Sequence, residues 1–360
     1  MLATRRNGLV AFFKEIVEMS KAILSLQWHL TTKCEQRCRH CYLYTSPDAK
    51  NEIEGERMMN YASLMSIVDN LVSTCRRIGA APRVSLTGGN PILHGHFWNL
   101  LSYLLQQGVM VSILGNPFGL TDEVAAKLYS LGIRKFQLSL DGMEETHDRF
   151  RKPGSFSATV EACDVLRRNN IDVAIMSTVS RANASDIPAL IDKVVDLGVR
   201  AYAFARHCPG DGNASNSFTP SEYREFLATV WESFGRRANS GTEFILKDHL
   251  WNLFLMERKL FIPQDTDGVV VDGCGLGISH MTVLADGNVY ACRRFKSPIG
   301  KVPEQSLYDI FFGEALDRYR DFDRLEKCRE CPLLNYCRGC MAVTHSTTGR
   351  WEAADPQCWR

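Results

Sequence analysis

Short apolar runs alternate with longer amphipathic stretches between residues 23 and 206, and this alternation constrains the fold more than any other feature. The apolar runs predict six strands, at residues 23–30, 83–86, 109–114, 135–140, 172–178 and 201–205. The amphipathic stretches predict five helices, at residues 61–79, 96–107, 122–131, 157–169 and 186–197. Strands joined by crossover helices form a parallel α/β sheet, and such sheets bind their ligands at the carboxyl ends of the strands.

Composition excludes several classes of protein. The chain has 360 residues, is 45% hydrophobic and carries a net charge of +1, so neither nucleic acid nor an acidic membrane surface is an expected partner. No apolar run approaches the roughly 18 residues that span a bilayer. The N-terminal segment, residues 1–22, predicts an amphipathic helix rather than a signal peptide, because Lys14, Glu15 and Glu18 interrupt its apolar positions. A cytoplasmic location follows.

The remaining chain divides into three further segments. Residues 23–206 hold the alternating pattern, and a Gly/Asn/Ser-rich loop at 207–218 opens a bridging segment, 207–273. In that segment TPSE, residues 219–222, predicts a capping box at the start of a helix to about residue 237, and a second helix is predicted at 247–258. Residues 261–273 predict an irregular connector. Residues 274–360 form a cysteine-rich segment with a β-hairpin turning near Asp286 and Gly287.

Thirteen cysteines are many for a reducing compartment, and most of them cluster. Cys34, Cys38 and Cys41 lie in CEQRCRHC, directly after the first predicted strand. Three thiolates on one loop can hold three corners of an iron–sulfur cube and leave the fourth iron open to a small molecule. Zinc is the alternative, although neither a fourth cysteine nor a paired CxxC unit lies nearby.

CxxxCxxC after the first strand of such a chain resembles the radical S-adenosylmethionine (SAM) superfamily. The resemblance implies a partial (β/α)₆ barrel, a 4Fe–4S cluster held by the three cysteines of the loop, and SAM bound to its open iron. His40 stands where the family usually has an aromatic residue, and Tyr42, directly after the last cysteine, is an expected cofactor contact.

TGGNP, at the end of the second strand, is similar to the family's GGEP motif. The motif implies that the backbone here helps to hold the amino group of SAM, and glycines let the chain approach a ligand closely. Its expected cofactor-binding residues are Gly88, Gly89, Asn90 and Pro91. Asn90 replaces the usual glutamate. A plain turn is the alternative.

Three further positions match motifs of the family in order along the chain. Asn116 matches one residue of the TNG motif after the third strand. SLDG after the fourth strand implies that Ser139 and Asp141 lie near the ribose. HDRFR implies that Arg151 binds the methionine carboxylate, which suits the bidentate fork of a guanidinium. A surface ion pair is the alternative for Arg151.

Seven C-terminal cysteines resemble the SPASM pattern, with one residue fewer between Cys337 and Cys340 than the family has. The resemblance implies two auxiliary 4Fe–4S clusters. The first would use Cys274, Cys292 and Cys340. The second would use Cys328, Cys331, Cys337 and Cys358. One ligand of eight is missing, so the first cluster has an open iron or a non-cysteine ligand. A zinc ribbon is the alternative.

Three cysteines lie outside both clusters. Cys75 and Cys163 fall in amphipathic helices and are expected in the core. Cys208 follows the sixth strand, on the predicted ligand-binding face. It is a candidate hydrogen-atom donor, substrate contact or cluster ligand, and an uninvolved loop cysteine is the alternative.

The resemblance implies that SAM is cleaved to a 5′-deoxyadenosyl radical, which removes a hydrogen atom from the substrate. SPASM proteins act mostly on peptides or proteins, which favours crosslinking or epimerisation of a ribosomally made peptide. Sulfatase maturation is less favoured, because Arg293 stands where those enzymes carry an aspartate base. A small molecule such as a tetrapyrrole precursor and a non-catalytic electron carrier are further alternatives. The expected electron donor is a flavodoxin or ferredoxin. Any leader peptide would be recognised by the barrel, by the SPASM face or by a separate leader-peptide-binding protein.

Overall fold

The computed structural model describes residues 22–45, 58–210 and 214–360. The helix predicted over residues 1–22 lies outside the described residues but for its last position. The chain divides into two compact units. Of the described residues, unit 1 contains 22–34, 58–115 and 275–321, and unit 2 contains 35–45, 116–210, 214–274 and 322–360.

Ten strands are described, and the first six confirm the predicted alternation to within two residues at each end. The strands are β1 (Ile23–Thr31), β2 (Ala81–Gly88), β3 (Met110–Leu114), β4 (Lys135–Leu138), β5 (Asp172–Val179), β6 (Ala201–Arg206), β7 (Glu243–Phe244), β8 (His280–Val283), β9 (Asn288–Tyr290) and β10 (Pro298–Lys301).

Twelve α-helices are described, and the five predicted crossover helices are among them. The helices are α1 (Tyr42–Thr45), α2 (Tyr61–Ile78), α3 (Phe97–Gln106), α4 (Asp122–Ser130), α5 (Glu144–Phe150), α6 (Ser155–Arg168), α7 (Ile187–Asp196), α8 (Pro220–Arg236), α9 (Trp251–Glu257), α10 (Leu307–Phe311), α11 (Glu314–Asp317) and α12 (Met341–Thr348).

Local chemistry explains where several helices begin and end. Asn60 accepts a hydrogen bond from the Ser63 N–H and caps α2, which ends at Gly79 in the left-handed conformation, with φ of 73°. The predicted capping box of α8 is confirmed: Thr219 and Glu222 satisfy each other's backbone N–H groups. The helix predicted at 247–258 is shorter than expected and begins only at Trp251, because Asp248 accepts the Leu250 N–H in a local turn.

In unit 1 the strands follow the order β10-β9-β8-β1-β2-β3. β1 pairs in parallel with β2 on one side and with β8 on the other. β8, β9 and β10 are antiparallel, which confirms the predicted hairpin, and the positive φ of Gly287, 88°, makes its turn. The core of the unit includes Leu26 and Trp28 of β1 and Val84 of β2, all of them fully buried.

In unit 2 the strands follow the order β4-β5-β6-β7, and all three pairings are parallel. β6 is buried along nearly its whole length, so it forms the centre of this unit. Its last residue, Arg206, is a fully buried cation. Across the described residues, no helix is both long and apolar enough to cross a bilayer.

Candidate iron–sulfur and cofactor site

The loop after β1 is held in unit 2 by backbone hydrogen bonds. The Cys41 N–H donates to the Cys38 oxygen, which closes a turn, and the Arg39 N–H donates to the Phe150 oxygen at the end of α5. Arg37 has a positive φ of 47°, which helps the loop to bend between cysteines. Cys38 and Cys41 are half-buried, and Tyr42 starts the short helix α1 directly after them. The loop therefore presents these two thiols from a fixed backbone.

Arg151, from the HDRFR motif, meets the thiol of Cys38. Its Nη1 lies 3.6 Å from the Cys38 Sγ, and its Nε donates to the Asp141 Oδ2 at 2.6 Å. Burial alone would lower the pKa of Arg151, but the charges of Asp141 and Cys38 outweigh burial and raise the pKa. The structure thus places the charged side chain of Arg151, from the HDRFR motif, beside Cys38, an expected cluster ligand from the CxxxCxxC motif.

Asp141 is fully buried, and several neighbouring groups contact its carboxylate. Besides Arg151, its carboxylate accepts the Thr178 N–H at 2.9 Å, and the His40 Nε2 lies 3.4 Å away. Burial alone would raise the pKa of Asp141, but the charge of Arg151 holds the pKa below its ordinary value. These contacts give Asp141 a role in orienting Arg151 in addition to the ribose contact that the resemblance implies. Ser139 is half-buried beyond the end of β4.

Two imidazoles beside Asp141 are neutral near pH 7. Burial lowers the pKa of His40 to about 4, and burial likewise lowers the pKa of His147 to about 4. His147, in the HDRFR motif, accepts the Asp141 N–H through its Nδ1 at 3.2 Å. These rings therefore contribute polar surface without adding positive charge.

Asn116 also contacts the cysteine loop. Its Nδ2 donates to the Glu35 Oε2 at 3.0 Å, and its Oδ1 accepts the Phe118 N–H at 3.0 Å. Asn116 is almost fully buried. Asn116, the single match to the TNG motif, therefore links the loop after β3 to Glu35, which directly follows Cys34.

The TGGNP segment closes against the end of β1 within unit 1. The Gly89 N–H donates to the Thr31 oxygen and the Asn90 N–H donates to the Lys33 oxygen, both at 2.7 Å. A Cβ on Gly89 would lie 2.1 Å from the Lys33 oxygen, and one on Gly88 would lie 2.3 Å from the Thr31 oxygen. The glycines thus allow a close approach to the backbone that leads into Cys34. Pro91 begins a short 3₁₀ turn.

A pocket of about 330 Å³ opens beside His40 in unit 2. Ser180, directly after β5, and His207, directly after β6, line it together with Phe150. The His40 ring centroid lies 5.6 Å from that of Phe150 and 6.2 Å from that of His207. Sequence reasoning missed His207, although its position at the carboxyl end of the sixth strand was a usable signal.

Cys208 lies between His207 and Pro209, two residues that line this pocket. Its side chain is buried, with Sγ 4.0 Å from the Arg206 oxygen. A role for Cys208 in the reaction stays a prediction. Cys75 and Cys163 are fully buried in α2 and α6, as expected of core residues.

Four C-terminal cysteines line one small cavity of unit 2: Cys328, Cys331, Cys337 and Cys358. They are the set expected for the second auxiliary cluster. Burial first, and then the charges of Cys358 and Cys331, raise the pKa of Cys328 to about 12. Cysteine thiols are the ligands that iron–sulfur clusters use, so the donor set fits such a cluster by its chemistry. Among the described residues, no group of three or more His, Cys, Asp or Glu side chains is already arranged to hold a metal ion.

The set expected for the first auxiliary cluster is divided between the units. In unit 2, Arg338 donates to the Cys274 oxygen at 2.9 Å, and the Cys340 N–H donates to Asp355 at 2.9 Å. Cys292 belongs to unit 1, where its N–H donates to the Ser297 Oγ at 3.0 Å and its Sγ accepts the Arg294 N–H at 3.5 Å. The grouping of these three cysteines therefore stays a prediction.

Comparison with known proteins gives two family matches. The radical SAM superfamily matches residues 28–194, and the SPASM iron–sulfur cluster-binding domain matches residues 274–332. Together they cover more than half of the chain. Both lie where the sequence motifs fall.

Similar proteins extend over nearly the whole chain. An AdoMet-dependent heme synthase of Methanosarcina barkeri is 27% identical to this chain. The alignment covers 95% of this chain and 98% of the heme synthase. The mycofactocin maturase MftC of Mycolicibacterium smegmatis is 26% identical over 94% of this chain and 83% of its own.

A solved structure shows the same fold. Streptococcus suis SuiB bound to its precursor peptide SuiA has a TM-score of 0.73 and 16% identity, covering 97% of this chain and 80% of that one. At this identity the likeness concerns the fold alone. On the agreement between the two family matches and the ordered motifs, the chain belongs to the radical SAM superfamily and carries a SPASM domain.

Proposed function

We propose that the protein cleaves SAM reductively at the cluster of Cys34, Cys38 and Cys41. The resulting 5′-deoxyadenosyl radical would remove a hydrogen atom from a peptide substrate. The contact between Arg151 and Cys38 carries the first half of this proposal. It joins the residue expected to bind the methionine carboxylate to a thiolate of the expected cluster, at 3.6 Å. When bound, SAM and the reduced cluster supply the hydrogen-abstracting chemistry.

The described residues fit SAM by the chemistry of their donors. The Nε of Arg151 contacts Asp141 and its Nη1 contacts Cys38, so its Nη2 remains to donate to a carboxylate. The pocket beside His40 is lined by the imidazole rings of His40 and His207 and by the phenyl ring of Phe150, which suit contact with a flat ring of a ligand. Asp141 orients Arg151, and the half-buried rings of Phe150 and His40 form one wall of the pocket.

A peptide is the favoured substrate because a peptide maturase, MftC, resembles this chain over 94% of its length and because the chain carries a SPASM domain. A tetrapyrrole is the second candidate, since the heme synthase relative matches over 98% of its own length. For either substrate, two auxiliary clusters would exchange electrons with the reacting molecule. A ferredoxin or flavodoxin in the cytoplasm would supply the first electron.

The test of this function is formation of 5′-deoxyadenosine. We expect the anaerobically reconstituted, reduced protein to convert SAM to 5′-deoxyadenosine and methionine, measured by mass spectrometry. Cys38→Ala should abolish the product, whereas Cys163→Ala, which changes a core cysteine outside both cysteine clusters, should retain it. A fully iron-loaded protein that forms none with any substrate would instead be an electron carrier.

The substrate class is tested by the same reaction with two probes. Deuterated synthetic peptides, taken from short reading frames next to this gene, should transfer deuterium to 5′-deoxyadenosine. An iron porphyrin with propionate side chains should leave the 5′-deoxyadenosine unlabelled when it is deuterated at those side chains. The reverse labelling result would assign the enzyme to the tetrapyrrole class.

Metal analysis tests the cluster count. Three 4Fe–4S clusters correspond to about twelve irons per chain. Cys328→Ala should lower iron by about four, because it removes one of the four thiols around the cavity. Cys75→Ala should leave iron unchanged. About four irons together with bound zinc in the wild-type protein would contradict the auxiliary clusters.

A further inference from the structure

Arg206, the last residue of β6, is an arginine whose side chain has no exposed surface. Its Nε donates to the Asp248 Oδ2 at 2.8 Å, and its Nη1 and Nη2 donate to the two oxygens of Asp355 at 2.8 and 2.9 Å. Charges are buried in proteins only at high cost unless they are paired, and the fork of Arg206 pairs with two carboxylates at once. Burial alone would lower the pKa of Arg206, but Asp248 and Asp355 raise it, so the residue stays charged.

Asp355 links Arg206 to the cysteine-rich segment. Its Oδ2 also accepts the Cys340 N–H at 2.9 Å, and its backbone oxygen accepts the Cys358 N–H at 3.0 Å. Asp355 itself lines the cavity of the four cysteines. One aspartate therefore fixes the backbone of two predicted cluster ligands, one from each auxiliary set.

Gly339 shows how tightly Asp355 is packed. A Cβ at position 339 would lie 2.9 Å from the Asp355 Cβ, and the residue has a positive φ of 63°. Both oxygens of Asp355 are already bound, to Arg206, to the Cys340 N–H and to the Gln357 N–H. Asp355 is thus suited to hold the ligands in place rather than to bind iron itself.

We infer that Arg206 and Asp355 are positioning residues of the auxiliary cluster site: the pair anchors the cysteine loops to the end of β6. This inference rests on the proposed function in one respect, that the C-terminal cysteines bind a cluster. Replacing an outer residue that orients metal ligands typically costs about 10- to 100-fold in metal affinity.

The test compares isosteric substitutions of the two aspartates that bind the guanidinium of Arg206, Asp355→Asn and Asp248→Asn. Each removes one of the two carboxylates bound to Arg206. Asp248 otherwise accepts the Leu250 N–H, whereas Asp355 accepts the N–H of a predicted ligand. The full-length chain with Cys34, Cys38 and Cys41 replaced by alanine is used as the background, so that iron reports the auxiliary clusters alone.

We expect Asp355→Asn to lose about half or more of the auxiliary iron and to shift the electron paramagnetic resonance spectrum of what remains. An asparagine amide cannot accept from both Nη atoms of Arg206 and from Cys340 together. Asp248→Asn should keep the iron and the spectrum of the background chain. Equal iron loss in the two variants, or none in either, would overturn the inference.

Arg206→Lys is a second variant that tests the inference if Asp355→Asn does not fold. Lysine keeps the buried charge but cannot grip both oxygens of Asp355. A folded Arg206→Lys protein should show reduced auxiliary iron and an altered spectrum, and an unchanged one would contradict the inference. If the background chain binds no C-terminal iron at all, it is the proposed function that fails, not the role of this pair.

Discussion

Replacing Arg151 with glutamine is expected to reduce 5′-deoxyadenosine formation by about 10- to 100-fold, as is usual for residues that orient metal ligands. Glutamine removes the charge that faces Cys38 and the ion pair with Asp141. Asp141 would then be a buried carboxylate beside the neutral His40, and the loop would lose its fixed cation. The rate of SAM cleavage with excess dithionite measures the effect.

Arg168→Gln is the matched control. Arg168 also forms an ion pair with an aspartate, Asp122, but both side chains are more than half exposed. Exposed pairs contribute little, so activity should stay near that of the wild-type protein. Arg151→Lys should fall between the two, because lysine keeps the charge without the fork. Wild-type turnover in a folded Arg151→Gln protein would remove Arg151 from the cofactor site.

Gly89→Ala is expected to destabilise the protein by about 3 kcal/mol or more and to prevent binding of the first cluster. The new Cβ would lie 2.1 Å from the Lys33 oxygen and 2.7 Å from the Thr32 oxygen, both of them backbone atoms. Backbone cannot rotate away as a side chain can, so the segment that leads into Cys34 has to shift. Urea unfolding and iron content of the purified protein measure the two effects.

Gly95→Ala provides the comparison, six residues further along the chain. A Cβ at Gly95 meets no atom within 4 Å. This variant should keep wild-type iron and stability. If Gly89→Ala behaved in the same way, the close approach between the β2 end and the segment before Cys34 would not matter for cluster binding.

Elements with a local signal could be predicted from the sequence. The six strands are short runs rich in apolar residues, and the capping box at Thr219 and Glu222 depends on residues three apart, so both were visible in the printed sequence. The cysteine spacing was also visible in the sequence, and its resemblance to the SPASM pattern grouped the four cysteines that line one cavity of the structure.

Contacts between distant segments could not be predicted. The parallel pairing of β8 with β1 and the hydrogen bond from Asn116 to Glu35 join parts of the chain that share no pattern. Arg206 lies just after the predicted sixth strand, and nothing near it in sequence indicates its buried partners. Ordinary side chains acquire such roles only once the tertiary fold brings them together.

The Arg206–Asp355 pair also bears on the order of synthesis and folding. Its two residues lie 149 positions apart. During translation Arg206 and Asp248 emerge well before Asp355, so the guanidinium has only one of its two carboxylate partners until Asp355 has been made. The four-cysteine cavity is likewise incomplete without Cys358. Loading of the proposed second auxiliary cluster would therefore wait until Cys358 has been made, and a chain that stops before Asp355 would hold a half-paired arginine beside unfilled thiols.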